Sequence, residues 1–371
     1  MGTLLASTIL ANNKSNIEIN HYNTFIPKEI WKDNHGVHIN AHGGGVIFDP
    51  KTEQYYWFGE HKIAGDAGNK AHVGVHCYSS KDLYNWKDEG IALPVSDDPE
   101  SPITKECILE RPKVIYNPVT DKYVMWFHLE RKGRGYLSAH SGVAIADKVT
   151  GPYQFLHAGR INPGKWPIGM PEDQKKPLDK PFDDKNHYNQ GEYTLIRRDF
   201  EGGQMARDMT LFIDQDGKAY HIYSSEENNT THIAELTPDF TAHTGKYVRI
   251  FHNRLMEAPT LFKKGDQYYF IGSGCTGWAP NAARSGVASH ILGPWKELAN
   301  PCQGNDANIT FGGQSTYVLP VEGKKDTFIF MADEWKPNNA IDGRYIWLPI
   351  EFDGEQPILN YQKTWSLSKD Q

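Results

Sequence analysis

The 371-residue chain carries 39 basic and 46 acidic side chains, a formal charge of -7, and therefore lacks the basic footprint that nucleic acid requires. Hydrophobic residues make up 39% of it, and no apolar run approaches the ~20 residues of a membrane-spanning helix. Its four cysteines, Cys77, Cys107, Cys275 and Cys302, contain no CxxC pair, so neither a zinc site of ordinary spacing nor a disulfide framework is expected.

Taken from its start, Met1 to Asn12 is weakly apolar without a basic flank and reads as a trimmed or engineered terminus rather than an intact signal peptide. Residues 1–37 are expected to be an N-terminal extension. From residue 38 one unit recurs: a short apolar strand, a tight turn, and an aromatic strand. It appears as GGGVIFDPKTEQYYWFGE, ERPKVIYNPVTDKYVMWFHLE, RDMTLFIDQDGKAYHIYSSE, EAPTLFKKGDQYYFIGSG and GQSTYVLPVEGKKDTFIFMADE. Each half is rich in β-branched and aromatic residues, and middles such as DPKTE and DQDG carry hairpin-turn residues. A second strand pair follows each unit, as in VGVHCYSSKDLYNWKDEG. Five units of four strands predict an all-β, five-bladed β-propeller, with residues 38–371 as a single domain.

The first strand of a propeller blade lines the central channel, so the residues opening these strands converge on one mouth. They are Gly43, Glu110, Asp208, Glu257 and Gln314. Loops after the second strands lie at the same mouth and are long, whereas the turns on the opposite face are short. The longest connection, a charged insertion of roughly residues 157–206, is expected above the mouth.

Glu110, Asp208 and Glu257 thus point into one confined place, where like charges raise the pKa of at least one carboxyl and prepare a neutral general acid. Glycoside hydrolysis needs such an acid beside a second group that activates water. The plainer alternative is that each carboxylate pairs with its neighbour, Glu110 with Arg111 or Asp208 with Arg207; three at equivalent repeat positions favour the functional reading. Glu60 ends a second strand and reaches the rim as a solvated turn residue or a substrate contact. Trp278 in SGCTGWAPN is expected to project over the mouth as a sugar platform, with Thr276 of the same loop a substrate contact. His42 is a channel or substrate-facing histidine, a solvent or ion ligand, or a structural histidine.

The motifs AHGGG, YYWFGE, ERPK, RDMTLF, SGCTGWAPN and GGQS together resemble glycoside hydrolase family 43 from about His38 onward. The resemblance implies an inverting mechanism, with Glu257 as acid and Asp208 as the carboxylate that tunes and orients it. The family's usual base, an Asp in the first blade, is absent, because this chain has His42-Gly43-Gly44 there. That departure is similar to the exo-beta-1,3-galactanase branch, which implies Glu110 and Gln314 facing the sugar, Gln314 holding the water. The implied activity is release of galactose from beta-1,3-linked galactan. An arabinofuranosidase or xylosidase is the alternative within the family, and a catalytically silent sugar-binding propeller the alternative outside it. The expected partner is an oligo- or polysaccharide, and the protein is expected to be a monomer, secreted or periplasmic. No cofactor is expected; the family's channel can hold a calcium ion, but no ligand set in this sequence requires a metal.

Overall fold

The computed structural model describes residues 21–178, 180, 182 and 191–367. Each apolar and aromatic run becomes a strand, and each Gly- or Asp-bearing middle a reversal. The first sheet contains β1 (His42–Asp49), β2 (Gln54–His61), β3 (Gly74–Ser80) and β4 (Lys87–Pro94). The second contains β5 (Ile108–Asn117), β6 (Lys122–Glu130), β7 (His140–Ala146) and β8 (Gln154–Gly159). The third contains β9 (Met209–Ile213), β10 (Ala219–Ser225), β11 (Thr230–Leu236) and β12 (His243–Ile250). The fourth contains β13 (Met256–Lys264), β14 (Gln267–Gly274), β15 (Arg284–Ala288) and β16 (Lys296–Leu298). A two-residue strand β17 (Cys302–Gln303) then precedes β18 (Gln314–Pro320), β19 (Phe328–Glu334) and β20 (Arg344–Pro349), and the last hairpin is β21 (Glu351–Asp353) with β22 (Gln356–Asn360).

The fold is an all-β propeller, but the strands form six sheets, not the five blades expected. β18, β19 and β20 make a three-stranded sheet; β21 and β22 leave it and join β17, which runs parallel to β22, in a sixth. The repeat pattern counts strand pairs and cannot show to which edge an outer strand bonds. Around the channel β1 packs on β5, β5 on β9, β9 on β13, β13 on β18, and β18 back on β1.

The bonding at the channel mouth is irregular in a recurrent way. The register shifts between His42 and Gly45, between Glu110 and Lys113, between Glu257 and Thr260, and between Ser315 and Tyr317. In three of these bulges a residue takes left-handed backbone angles: Gly43 (φ 60), Arg111 (φ 55) and Ala258 (φ 52). A bulge bends its strand and re-aims the neighbouring side chain, and here it turns the strand-opening residues toward the mouth.

Between the first and the fifth inner-strand sheets lies an aromatic cluster that includes Trp57, Trp86, Tyr345 and Trp347. Phe25 and Trp365 complete it, and the Phe25 N–H donates to the Trp365 carbonyl at 2.7 Å. The described part of the insertion bonds to loops on the mouth side, Arg160 donating to the Leu137 and Ser138 carbonyls and Arg198 pairing with Glu227. Its short helix α1 (Thr194–Arg198) buries Leu195 and Ile196, the latter among Trp126, Val143 and Tyr247 between the second and third sheets. None of its described residues lines the mouth pocket; residues 179, 181 and 183–190 lie outside the described residues. Truncating Phe25, 2% exposed among four rings, to Ala should cost about 3–5 kcal/mol, measurable as a lower midpoint in denaturant unfolding.

Candidate active site

The bulged strand ends surround a pocket of about 400 Å³ lined by Glu60, Glu110, Asp208, Glu257, Trp278 and Gln314, with Arg111, His128, Tyr136 and Trp335 beside them. Six of the residues expected from sequence therefore meet in one place. Two do not line it. His42 is fully buried, stacked on Tyr345 with centroids 5.4 Å apart, and its Nδ1 lies 3.8 Å from Asp333. Thr276 is exposed in the adjoining loop, where its hydroxyl donates to the Ala279 carbonyl at 2.6 Å.

Arg111 organises the anionic wall. It is 5% exposed; Nη2 lies 3.0 Å from Asp208 Oδ2 and donates at 2.7 Å to Gln314 Oε1, Nη1 donates to the Ser315 carbonyl, and the guanidinium lies 5.3 Å from the Trp335 ring centroid. Its sequence neighbour Glu110 is not its ion-pair partner, and Arg207 pairs with Glu227 rather than Asp208.

Glu110 instead accepts from His128 Nδ1 at 2.8 Å and from the Tyr136 hydroxyl at 3.0 Å, while His128 Nε2 meets Glu130 at 3.0 Å. Burial opposes charge on His128, but the two carboxylates outweigh it and hold its pKa at about 9. Burial likewise opposes charge on Glu110, and the His128 contact overcomes it, so Glu110 is held below its ordinary value and ionised.

Glu257 is in the opposite state. Burial, then the neighbouring Asp208 carboxylate, push its pKa up to about 7. Asn228 Nδ2 donates to its Oε1 at 2.9 Å, and Asp208 Oδ2 accepts the adjacent Ala258 N–H at 3.0 Å. Two carboxyls in one pocket thus have pKa values driven apart, the pattern that separates an acid from its ionised companion.

The missing first-blade carboxylate has a steric explanation. A Cβ at Gly43 would lie 2.3 Å from Glu60 Oε1, so the space is filled from the adjacent strand β2. Glu60 is 4% exposed and fixed by the Arg111 N–H at 3.0 Å and Lys62 Nζ at 2.6 Å. Below it Lys113 is buried and donates to the Gly43 carbonyl at 2.9 Å; burial and the nearby Arg111 lower its pKa to about 7.

Glu110, His128 and Asp208 place ligand atoms within 4.8 Å of one another. The set does not fit a cation: both His128 nitrogens are engaged by carboxylates, and Asp208 already carries the Arg111 guanidinium.

The structure is similar to that of a family 43 beta-1,3-galactosidase with galactodeoxynojirimycin, at 49% identity, with a TM-score of 0.87, over 92% of this chain and 100% of that one. The chain belongs to glycosyl hydrolase family 43. The model of that family, Glycosyl hydrolases family 43, matches residues 181–353. A second family 43 beta-1,3-galactosidase is 36% identical with a TM-score of 0.77, over 93% of this chain and 64% of that longer one. An exo-beta-1,3-galactanase from Phanerochaete chrysosporium with beta-1,3-galactotriose is 28% identical with a TM-score of 0.74, over 93% of this chain and 69% of that one. No curated protein matches the sequence. As a family 43 member the chain is a glycoside hydrolase, and its pocket holds the charged groups that such chemistry requires.

Sequence reasoning missed Arg111, His128, Tyr136 and Trp335. Only Arg111 had a signal, since it sits within the ERPK motif, where pairing with Glu110 is the plainer alternative to a functional role for that carboxylate.

Two outcomes follow from these charge states. A general acid must be protonated, so kcat/KM should fall as pH rises through about 7, the Glu257 value. Asp208→Asn removes a like charge and should move that limb to lower pH in a pH–rate profile. Gly43→Asp, which restores the family's usual residue, should displace Glu60 and lower activity on every substrate rather than raise it, as initial rates would show.

Proposed function

We propose that the protein is an inverting, exo-acting hydrolase that releases galactose from beta-1,3-linked galactan. The observation that carries the reading is the pairing of a protonated Glu257 with ionised Glu110 and arginine-bound Asp208 in one pocket. Relatives that share the fold are described as beta-1,3-galactosidases or exo-beta-1,3-galactanases, which supports the choice of sugar and linkage.

In this reading Glu257 protonates the departing glycosidic oxygen. Asp208 keeps the Glu257 proton in place at neutral pH and, through the Ala258 N–H, fixes the strand that carries it. Glu110 and Glu60 receive sugar hydroxyls, and Trp278 supplies an apolar face.

Gln314 aligns the attacking water. Its Oε1 faces two groups that can only donate, Arg111 Nη2 at 2.7 Å and Trp335 Nε1 at 2.9 Å, so its orientation follows from chemistry. Nε2 is then directed to Ser273 Oγ at 3.0 Å and Glu257 Oε2 at 3.4 Å. Two donors on the oxygen polarise the amide and disfavour an imidic O–H there. The 3.4 Å contact is the longest of the four. We also take the sixth sheet to be the outer part of the fifth blade, displaced by β17, since none of its strands joins the ring of inner strands.

Product analysis on beta-1,3-galactan, arabinan and xylan oligosaccharides, with the anomer followed by NMR, tests the reading; galactose with inverted configuration, and only from galactan, is expected. Glu257→Gln should lower kcat by about 100- to 10,000-fold while sugar binding persists. Gln314→Ala should lower kcat far more than it raises KM. Near-normal turnover in that variant, with Glu110→Gln inactive, would assign proton acceptance to Glu110.

A further inference from the structure

The rim of the pocket is tied shut on most of its circumference. Asn69 donates to the Tyr136 hydroxyl at 2.5 Å, joining the first and second sheets, and Arg207 donates to the Tyr136 carbonyl at 3.0 Å, joining the third. Asn228 spans from the third sheet to Glu257 of the fourth. Between the β19–β20 loop and the first sheet, Gly65 N–H donates to Asn339 Oδ1 at 2.9 Å and Ala340 N–H to the Gly65 carbonyl at 3.0 Å. The loops after β14 and β19 differ: among the described residues their tips meet through two indoles, Trp278 and Trp335, edge to face with centroids 6.0 Å apart. Trp278 is 41% exposed.

Those same indoles, with Gln314, wall a second hollow of about 170 Å³ floored by Gly312 and Gly313 and edged by Glu334. The floor is main chain without side chains, and Lys28 Nζ would lie 3.4 Å from a Cβ placed on Gly312. Lys28 begins a third hollow of about 400 Å³, with Asn305, Asn360 and Tyr361. Tyr361 is 37% exposed, rests on the buried Phe311 at 5.6 Å between centroids, and has Lys28 Nζ over its ring, 5.5 Å from the centroid, where an incoming sugar would displace the ammonium to the edge. The connecting loop is wound through left-handed angles at Asp306 (φ 61), Thr310 (φ 49) and Phe311 (φ 57), and Thr310 Oγ1 donates to the Asn281 carbonyl at 2.7 Å, fixing it to the Trp278 loop. An exposed ring ringed by amides and an ammonium is the chemistry that binds a sugar, an apolar face stacked and hydroxyls hydrogen-bonded.

We propose that this path is the track of the leaving polysaccharide: the sugars beyond the scissile bond pass over the touching rings of Trp278 and Trp335, cross the Gly312–Gly313 floor, and stack at a distal subsite on Tyr361. The inference rests on the galactan reading above and adds to it a chain-length preference. The terminal galactose occupies the tied pocket, and the polymer lies across the rim of the β18–β20 sheet.

The test is kcat/KM on an aryl beta-galactoside and on a ladder of beta-1,3-galacto-oligosaccharides from disaccharide to octasaccharide. Wild type should improve with length. Tyr361→Ala should lose about tenfold on the longest members, the scale of one aromatic contact, and nothing on the disaccharide or the aryl glycoside. Tyr361→Phe keeps the ring and should match wild type. A Tyr361→Ala profile that superimposes on wild type, or that drops equally on the disaccharide, overturns the distal subsite. A wild-type enzyme inert on every galacto-oligosaccharide overturns the galactan reading, and the track with it.

Discussion

One buried guanidinium holds the site together. Arg111 comes from the second sheet, yet it reaches Asp208 of the third, Gln314 and Ser315 of the fifth, and Trp335 in the loop beyond, while its backbone N–H binds Glu60 of the first. Asp208 passes the connection to the fourth through the Ala258 N–H. Stripping a buried charge of its partner typically costs about 3–5 kcal/mol, so the five inner strands are held to one another at the point where the chemistry lies.

The same cation sorts the carboxyls. Asp208 and Gln314 take its hydrogen-bonding edge, Glu110 is served by a protonated His128, and Glu60 by Lys62. Glu257 faces Asp208 in a half-buried position with amide donors rather than a cation in hydrogen-bond contact. It is therefore the carboxyl that keeps its proton near neutrality, with burial the larger cause and Asp208 the second. The acid is made by leaving one member of an acidic group without a counter-ion.

How much of this could be read beforehand depends on how local the determinant is. The recurrent strand pair exposed the propeller and the convergence of Glu110, Asp208, Glu257 and Gln314, because both follow from alternation and turn residues. The turn of Arg111 away from Glu110 and toward Asp208 was not legible, since adjacency in sequence says nothing about which way a side chain turns in a bulge. His128, Tyr136 and Trp335 lie on second strands or the loops after them, where nothing in the local pattern marks them. The absence of a carboxylate at Gly43 was legible, but its compensation by Glu60 needs the pairing of His42 with Glu60 across β1 and β2. The sheet count failed for a similar reason: strand pairs counted along the sequence do not show that β22 bonds β17 rather than β20.

The seam between the first and last inner strands also governs how the chain can be assembled. Phe25 bonds Trp365, and the rings of Trp57 and Trp86 pack against Tyr345 and Trp347, so residues separated by nearly the whole sequence bury each other. A nascent chain emerging from synthesis carries the apolar flank of its first sheet uncovered until its final strands arrive. Such long-range closure makes folding slow and leaves aromatic surface available for wrong partners in the interval. The time for which the ring stays open is therefore a factor in how this protein can be produced, alongside the stability of the closed ring.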